Sequence, residues 1–241
     1  MVREEERKQI LFADSRVEDY GSLTASVDRS NTEVIVLDAK SDGVEQIAKA
    51  LSGRTDISAV HVLSHGAAGS LQLGASELCL SNIESYRNYL EQWFALPAGA
   101  RCLRLATPTH HPEILLYGCN VAAGEEGVAF VERLSKLTGA QVAASDDLTG
   151  CAALGGDWEL EVKTGDIETP VAFSEAAREA YSAVLINLDV NNFGDLQNAI
   201  NVANTNVGSD TITIKANVTL TGLLPRITGP TDIIGGGFNI S

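Results

Sequence analysis

Two runs, Ala59-Val60-His61-Val62-Leu63-Ser64-His65-Gly66 and Glu113-Ile114-Leu115-Leu116-Tyr117-Gly118-Cys119-Asn120, decide how this chain folds. Each is a short, nearly continuous apolar stretch that breaks at a glycine next to a reactive side chain. Runs without polar alternation read as strands covered on both faces, as in a parallel sheet. Ile10-Leu11-Phe12-Ala13-Asp14, Glu33-Val34-Ile35-Val36-Leu37-Asp38 and Gln141-Val142-Ala143-Ala144-Ser145 have the same character. Amphipathic stretches lie between them. Val44, Ile47, Ala48 and Leu51 recur at helical spacing, and Val128, Val131, Leu134 and Leu137 are expected to share a helical face that Gly139 ends. Strands alternating with helices predict an α/β doubly wound sandwich with a mainly parallel central sheet.

That pattern spans residues 9–185, after an N-terminal tail of residues 1–8. From residue 186 to 241 charge becomes sparse, and Asn, Thr, Ile and Gly take over. Thr211-Ile212-Thr213-Ile214 and Val218-Thr219-Leu220-Thr221 are β-branched runs, and Gly235-Gly236-Gly237 breaks the chain tightly. An amphipathic stretch carrying Leu196, Ala199, Ile200 and Ala203 precedes them. Short strands separated by Gly and Asn turns predict the opening coils of a β-solenoid. About three coils are needed to bury such a core. The 186–241 segment is therefore expected to be the start of something longer.

The 241 residues carry 17 Lys and Arg against 32 Asp and Glu, a net charge of −15. A nucleic-acid footprint needs clustered basic residues, so that class of partner is not expected. No apolar window is long enough to span a membrane, and the run Ile10 to Ala13 is too short for the core of a signal peptide. The four cysteines show no Cys-x-x-Cys spacing, which leaves Cys79, Cys102 and Cys151 as small buried thiols.

Cys119 reads differently. In an open parallel sheet the carboxyl ends of the strands form the edge where ligands bind. His65 and Cys119 both follow such strand ends. A cysteine becomes a strong nucleophile once ionised, and a nearby imidazole is the usual means. A helix starting near Gly124 would favour the thiolate, an effect that Glu125 and Glu126 partly offset. A hydrolase nucleophile elbow does not fit, because Tyr117 stands two residues before Cys119 and no histidine follows it. His110 and His111 lie in a proline-flanked loop without a third ligand, so neither a metal nor an organic cofactor is expected.

These stretches, together with Asp14-Ser15-Arg16-Val17-Glu18-Asp19-Tyr20, Gly69-Ser70-Leu71-Gln72-Leu73-Gly74, Ala144-Ser145-Asp146-Asp147-Leu148-Thr149-Gly150 and Gly155-Gly156-Asp157-Trp158-Glu159-Leu160, resemble a caspase-like domain of unknown function. That domain is found near the N-terminus of large bacterial surface or secreted repeat proteins. The similarity covers roughly residues 9–185. The His lies about 50 residues before the Cys, which is also the caspase arrangement. The tail from Asp195 to Ile212 looks like the opening of a right-handed parallel β-helix of the kind found in secreted adhesins. Caspases, gingipains and legumains, the wider relatives, are cysteine endopeptidases. The resemblance implies His65 as general base and acid, Cys119 as nucleophile, and an oxyanion hole made by the backbone N–H groups of Gly66 and Cys119. It also implies secretion or surface display, although no N-terminal signal peptide is visible. One departure is an insertion of about ten residues within the connection Pro97–Pro112, expected at the end of its strand opposite Cys119.

Specificity stays open at this point. In relatives the P1 pocket draws on the end of the first strand and on the residues before the His and the Cys, here Asp14, Arg16, Ser64 and Tyr117. An inward Asp14 would select a basic P1 residue, and an inward Arg16 an acidic one through a bidentate contact. The summed field of Asp38, Asp146 and Asp147 favours basic substrates. Asp14 and Asp38 also read as turn or cap residues. Two functions are expected. One is a cysteine endopeptidase acting on a peptide or protein substrate, including its own downstream chain. The other is a non-catalytic head module of an adhesin-type repeat protein, acting in adhesion, secretion or assembly.

Overall fold

The computed structural model describes residues 8–94, 111–185, 189–190, 192–205, 210–235 and 237–241. Most of the expected insertion, with Cys102 and His110, lies outside the described residues. The chain divides into two compact units, the first running to residue 186 apart from the short stretch Ala152–Gly155.

In the first unit the elements run β1 (Lys8–Asp14), α1 (Tyr20–Ala25), β2 (Thr32–Leu37), α2 (Gly43–Leu51), β3 (Ile57–Leu63), β4 (Gly66–Ala67), β5 (Ser70–Leu73) and β6 (Ser76–Cys79). They continue with α3 (Arg87–Leu90), β7 (Glu113–Tyr117), α4 (Gly124–Thr138), β8 (Gln141–Ala144), β9 (Val162–Lys163) and α5 (Glu175–Ala180). The central sheet has the order β2-β1-β3-β7-β8-β9, with the first five parallel and β9 antiparallel. This is a mixed α/β unit with a mainly parallel central sheet, and all five apolar runs read from the sequence are strands in it. Because those five are parallel, their carboxyl ends share one edge. β3 and β7 are neighbours there, with Leu63 opposite Tyr117.

Burial explains why these runs become central strands. Ile10 to Asp14, Ala59 to Leu63 and Glu113 to Tyr117 are buried without a break. α2 buries Val44, Ile47, Ala48 and Leu51 as expected, and its N-cap Asp42 accepts the Glu45 N–H at 3.0 Å. α4 differs by one position. Its buried face is Gly127, Phe130, Val131, Leu134, Leu137 and Thr138, and Val128 is exposed. Repeated steps of three residues drift around a helix of 3.6 residues per turn, so a stripe through Leu134 and Leu137 passes Phe130 and misses Val128. Gly139 ends this helix with a left-handed φ of 71°. The antiparallel β4-β5-β6 sheet starts at Gly66, directly after His65.

In the second unit β10 (Asp189–Val190), α6 (Phe193–Thr205), β11 (Asp210–Ile214) and β12 (Thr231–Ile234) follow in order. The three strands pair in parallel in sequence order. Leu196, Ala199, Ile200 and Ala203 of α6 are buried in one cluster with Val190, Ile212, Ile214 and Val218. Among the described residues the run Val218–Thr221 forms no ladder, and Val218 alone bridges, in parallel, to Ile240.

Candidate functional site

His65 and Cys119 each stand two residues beyond the last residue of their strands, at the shared edge of β3 and β7. The Ser64 N–H donates to the Tyr117 carbonyl at 3.0 Å and carries the ladder one step past β3. The two loops then meet backbone to backbone. A Cβ built on Gly66 would lie 2.6 Å from Val121 Cγ2 and 2.8 Å from the Cys119 carbonyl oxygen, so no side chain fits there.

That close approach brings two donors together. The N–H groups of Gly66 and Cys119 both donate to one acceptor, the Leu185 carbonyl oxygen, at 3.0 and 2.9 Å. Two backbone donors converging on one carbonyl oxygen form the geometry that stabilises a developing oxyanion.

The acceptor belongs to an extended segment laid along Thr149–Cys151. The Leu185 N–H donates to the Thr149 carbonyl at 2.9 Å, the Cys151 N–H donates to the Ala183 carbonyl at 2.9 Å, and Gly150 bridges Val184 in antiparallel register. Gly150 has φ 133°, and a Cβ there would lie 2.4 Å from the Ala183 oxygen. Tyr181 anchors the start of the segment, with its hydroxyl donating to the Glu18 carbonyl at 3.0 Å and its ring edge-on to Trp158.

Cys119 is fully buried. Its thiol accepts the Thr149 N–H at 3.2 Å and faces the Thr149 carbonyl at 3.5 Å. Burial pushes this thiol up to about 12, against the smaller opposing pull of the Thr149 and Leu185 N–H groups. The resting sulfur is therefore protonated, and it needs a base to react.

His65 Nε2 lies 3.2 Å from the Arg16 carbonyl oxygen. A carbonyl only accepts, so Nε2 carries the hydrogen, and Nδ1 holds the lone pair of the neutral ring. The Arg16 carbonyl is a functional group that sequence reasoning missed, since a main-chain acceptor leaves no mark on residue identity. It is fixed by a tight turn. The Asp14 carboxylate accepts the Arg16 main-chain N–H at 2.9 Å and the guanidinium Nε–H and Nη2–H at 3.0 and 2.9 Å, and it also accepts the Gly74 N–H at 2.7 Å. Asp14 and Arg16, each considered as a lone charge for P1 selection, are paired with one another.

The remaining candidates have other partners. The Ser64 hydroxyl is buried and bonds to the carbonyls of His65 and Gln72. Tyr117 is buried against Trp158, Phe173 and His61. Its hydroxyl accepts the Ala172 N–H at 3.2 Å and meets His61 Nδ1 at 2.8 Å. His61 Nε2 donates to Gln9 Oε1 at 2.9 Å, so Nδ1 is the acceptor and the tyrosine O–H the donor. Burial lowers His61 to about 4, against the opposing charge of Glu113. Asp146 is exposed, and among the described residues its carboxylate forms a group with Asp147 and Glu161 that could hold a cation, with ligand atoms within 4.8 Å of one another. His111 is exposed at the far end of β7 from Cys119.

A histidine and a cysteine at adjacent carboxyl ends of a parallel sheet, beside two converging N–H donors, define a mixed α/β domain with a candidate nucleophile site. The chain belongs to the family described as a domain of unknown function, DUF4347, which matches residues 10–185. No curated protein and no solved structure was found similar to it. No described helix is long and apolar enough to cross a membrane.

Proposed function

We propose that the 9–185 segment is a caspase-like cysteine endopeptidase that works through His65 and Cys119. The observation that carries this reading is the convergence of the Gly66 and Cys119 N–H groups on a single carbonyl oxygen, beside a buried thiol. In the reaction the Cys119 proton passes to His65 Nδ1 as Sγ attacks the carbonyl carbon, and the two N–H groups hold the oxyanion. Collapse breaks the C–N bond, and the amine leaves with the proton from His65. Water then attacks the thioester, with His65 again as base, and releases the acid and the thiol. The Arg16 carbonyl keeps the imidazole in the tautomer this needs.

The test is covalent labelling of the purified chain with acyloxymethyl ketone probes bearing Leu, Arg, Lys or Asp at P1, with the adduct located by mass spectrometry. A single adduct on Cys119, lost in Cys119→Ala and in His65→Ala, is expected. Adducts spread over Cys79 and Cys151, or Cys119 labelling indifferent to His65→Ala, would overturn the reading.

The second unit supports a companion reading. Its parallel strands stack in sequence order, and β12 leaves Ile233 and Ile234 exposed at 41% and 52%. We read it as the opening coils of a parallel β-helix, headed by the first unit in a secreted or surface-displayed adhesin-type protein. A non-catalytic head module is the function that remains if no probe labels Cys119 and no peptide is hydrolysed.

A further inference from the structure

We propose that the segment Ala183–Leu185 is this domain's own substrate, and that the bond it cleaves is the peptide bond following Leu185. The proposal rests on the His65/Cys119 reading and adds to it the bond, the P1 residue and the direction of the substrate.

The first argument is position. The Leu185 carbonyl is the group that receives both converging N–H donors. One of those donors is the backbone N–H of Cys119 itself, so Leu185, whose carbonyl it holds, is taken as the P1 residue. The second argument is register. Ala183–Leu185 pairs with Thr149–Cys151 through the Leu185 N–H and the Ala183 carbonyl, with Gly150 opposite Val184. Adding an extended segment to an exposed strand is a general way to hold a peptide by its backbone, with alternate side chains left for specificity. Gly150 suits that role, because any side chain there would strike the Ala183 oxygen.

The third argument is the chemistry of the P1 side chain. Leu185 is fully buried, so its site accepts an apolar group. Asp14 and Arg16, which would have selected a charged P1, neutralise each other in a bidentate pair. A leucine is therefore matched to its site, and a charged P1 buried there would cost a large amount unless it were paired.

Cleavage is a hydrolysis and needs no co-reactant other than water. A C–S bond forms between Cys119 Sγ and the Leu185 carbonyl carbon, and the thiol proton moves to His65. The C–N bond after Leu185 breaks, and the amine of the downstream chain takes that proton. Water then converts the thioester to the Leu185 carboxylate and restores the thiol. The products are residues 1–185 and a chain beginning at residue 186, so the cut severs the covalent link between the α/β unit and the segment that carries β10 to β12.

The test follows the whole chain by intact mass and N-terminal sequencing, in wild type, Cys119→Ala, His65→Ala, Leu185→Asp and Leu185→Met. All five are also incubated with a leucyl acyloxymethyl ketone. Scission after Leu185 is expected in wild type and absent in Cys119→Ala and His65→Ala. Leu185→Asp should slow it by about 100-fold or more, the scale on which a mismatched side chain is rejected. Leu185→Met, nearly the same in volume, should keep the rate within about 10-fold. A chain that stays whole or is cut elsewhere, while the probe still labels Cys119 through His65, overturns the self-cleavage proposal and leaves the dyad reading standing. A whole chain with no labelling overturns both. Scission after Leu185 that persists in Cys119→Ala also overturns the proposal.

Discussion

His61 and His65 leave the same stretch of chain four residues apart and meet opposite surroundings. His61, inside β3, is fully buried and has a side-chain partner on each nitrogen, Gln9 on one side and Tyr117 on the other. His65, past the end of the strand, is half-buried and rests its Nε2 on the Arg16 main-chain carbonyl. Tyr117 and Cys119 repeat the contrast on β7, the first closed into an aromatic cluster and the second set beside backbone donors. On these two strands the inner histidine is held by side chains alone, whereas His65 and Cys119, past the strand ends, are held by main-chain groups.

The largest expected effect breaks the edge side of that contrast. Gly66→Ala puts a Cβ into the Cys119 loop and pulls one N–H away from the shared carbonyl, so probe labelling of Cys119 should fall by about 100-fold or more. The measurement is the labelling rate on protein that still melts cooperatively. An unchanged rate would mean that the converging donors play no part.

Next comes a pH term from the inner histidine. His61 is held at about 4 when folded, below its unfolded value of 6.5. The unfolded chain therefore binds the extra proton first as pH falls. The contribution is complete above pH 6.5 and is lost progressively down to about pH 4. Its size is about 3 kcal/mol. Urea unfolding of wild type and His61→Phe across that window should give curves whose difference flattens above pH 6.5. A constant difference would show that His61 is not held neutral.

A smaller effect sharpens the same side. Tyr117→Phe removes the O–H donor to His61 and the acceptor of the Ala172 N–H. It should destabilise the fold by about 1–3 kcal/mol and leave the labelling rate of Cys119 unchanged. A matching loss of labelling would mean that the buried cluster around Tyr117 is coupled to the Cys119 loop. The smallest effect concerns Asp147, whose carboxyl is raised by burial first and then by Asp157 and Glu161. Glu161→Gln should move its titration, followed by NMR, towards the ordinary carboxylate range. No movement would assign the shift to burial and Asp157 rather than to Glu161.

Much of this arrangement was legible in the residues. Unbroken apolar runs read as strands of a parallel sheet, although the run from Glu33 to Leu37 became the half-exposed edge strand β2, and the placement of His65 and Cys119 just past two such runs pointed to the shared carboxyl edge. Helix phase was less legible, because steps of three through Val128 track a neighbouring stripe as well as the buried one. The site's other half left no such trace. Ser182-Ala183-Val184-Leu185 reads as any short apolar run, and what distinguishes it is the direction of its carbonyl. The Asp14/Arg16 pair was visible as two charges at a strand end, but their mutual neutralisation depends on a turn that puts the guanidinium Nε–H and Nη2–H on one carboxylate.

The seating of the Leu185 carbonyl has a consequence for any other peptide. A tethered occupant behaves as a ligand at an effective concentration on the order of millimolar, set by the length of its own connection. A peptide added at micromolar concentration then competes with a resident present at about a thousandfold excess. Whatever its intrinsic fit, its apparent affinity falls by the fraction of time the groove stands empty. Each turnover on an outside chain would thus begin with a departure, and the domain's selectivity would depend on Tyr181 and its hold on the Glu18 carbonyl as well as on the pocket itself.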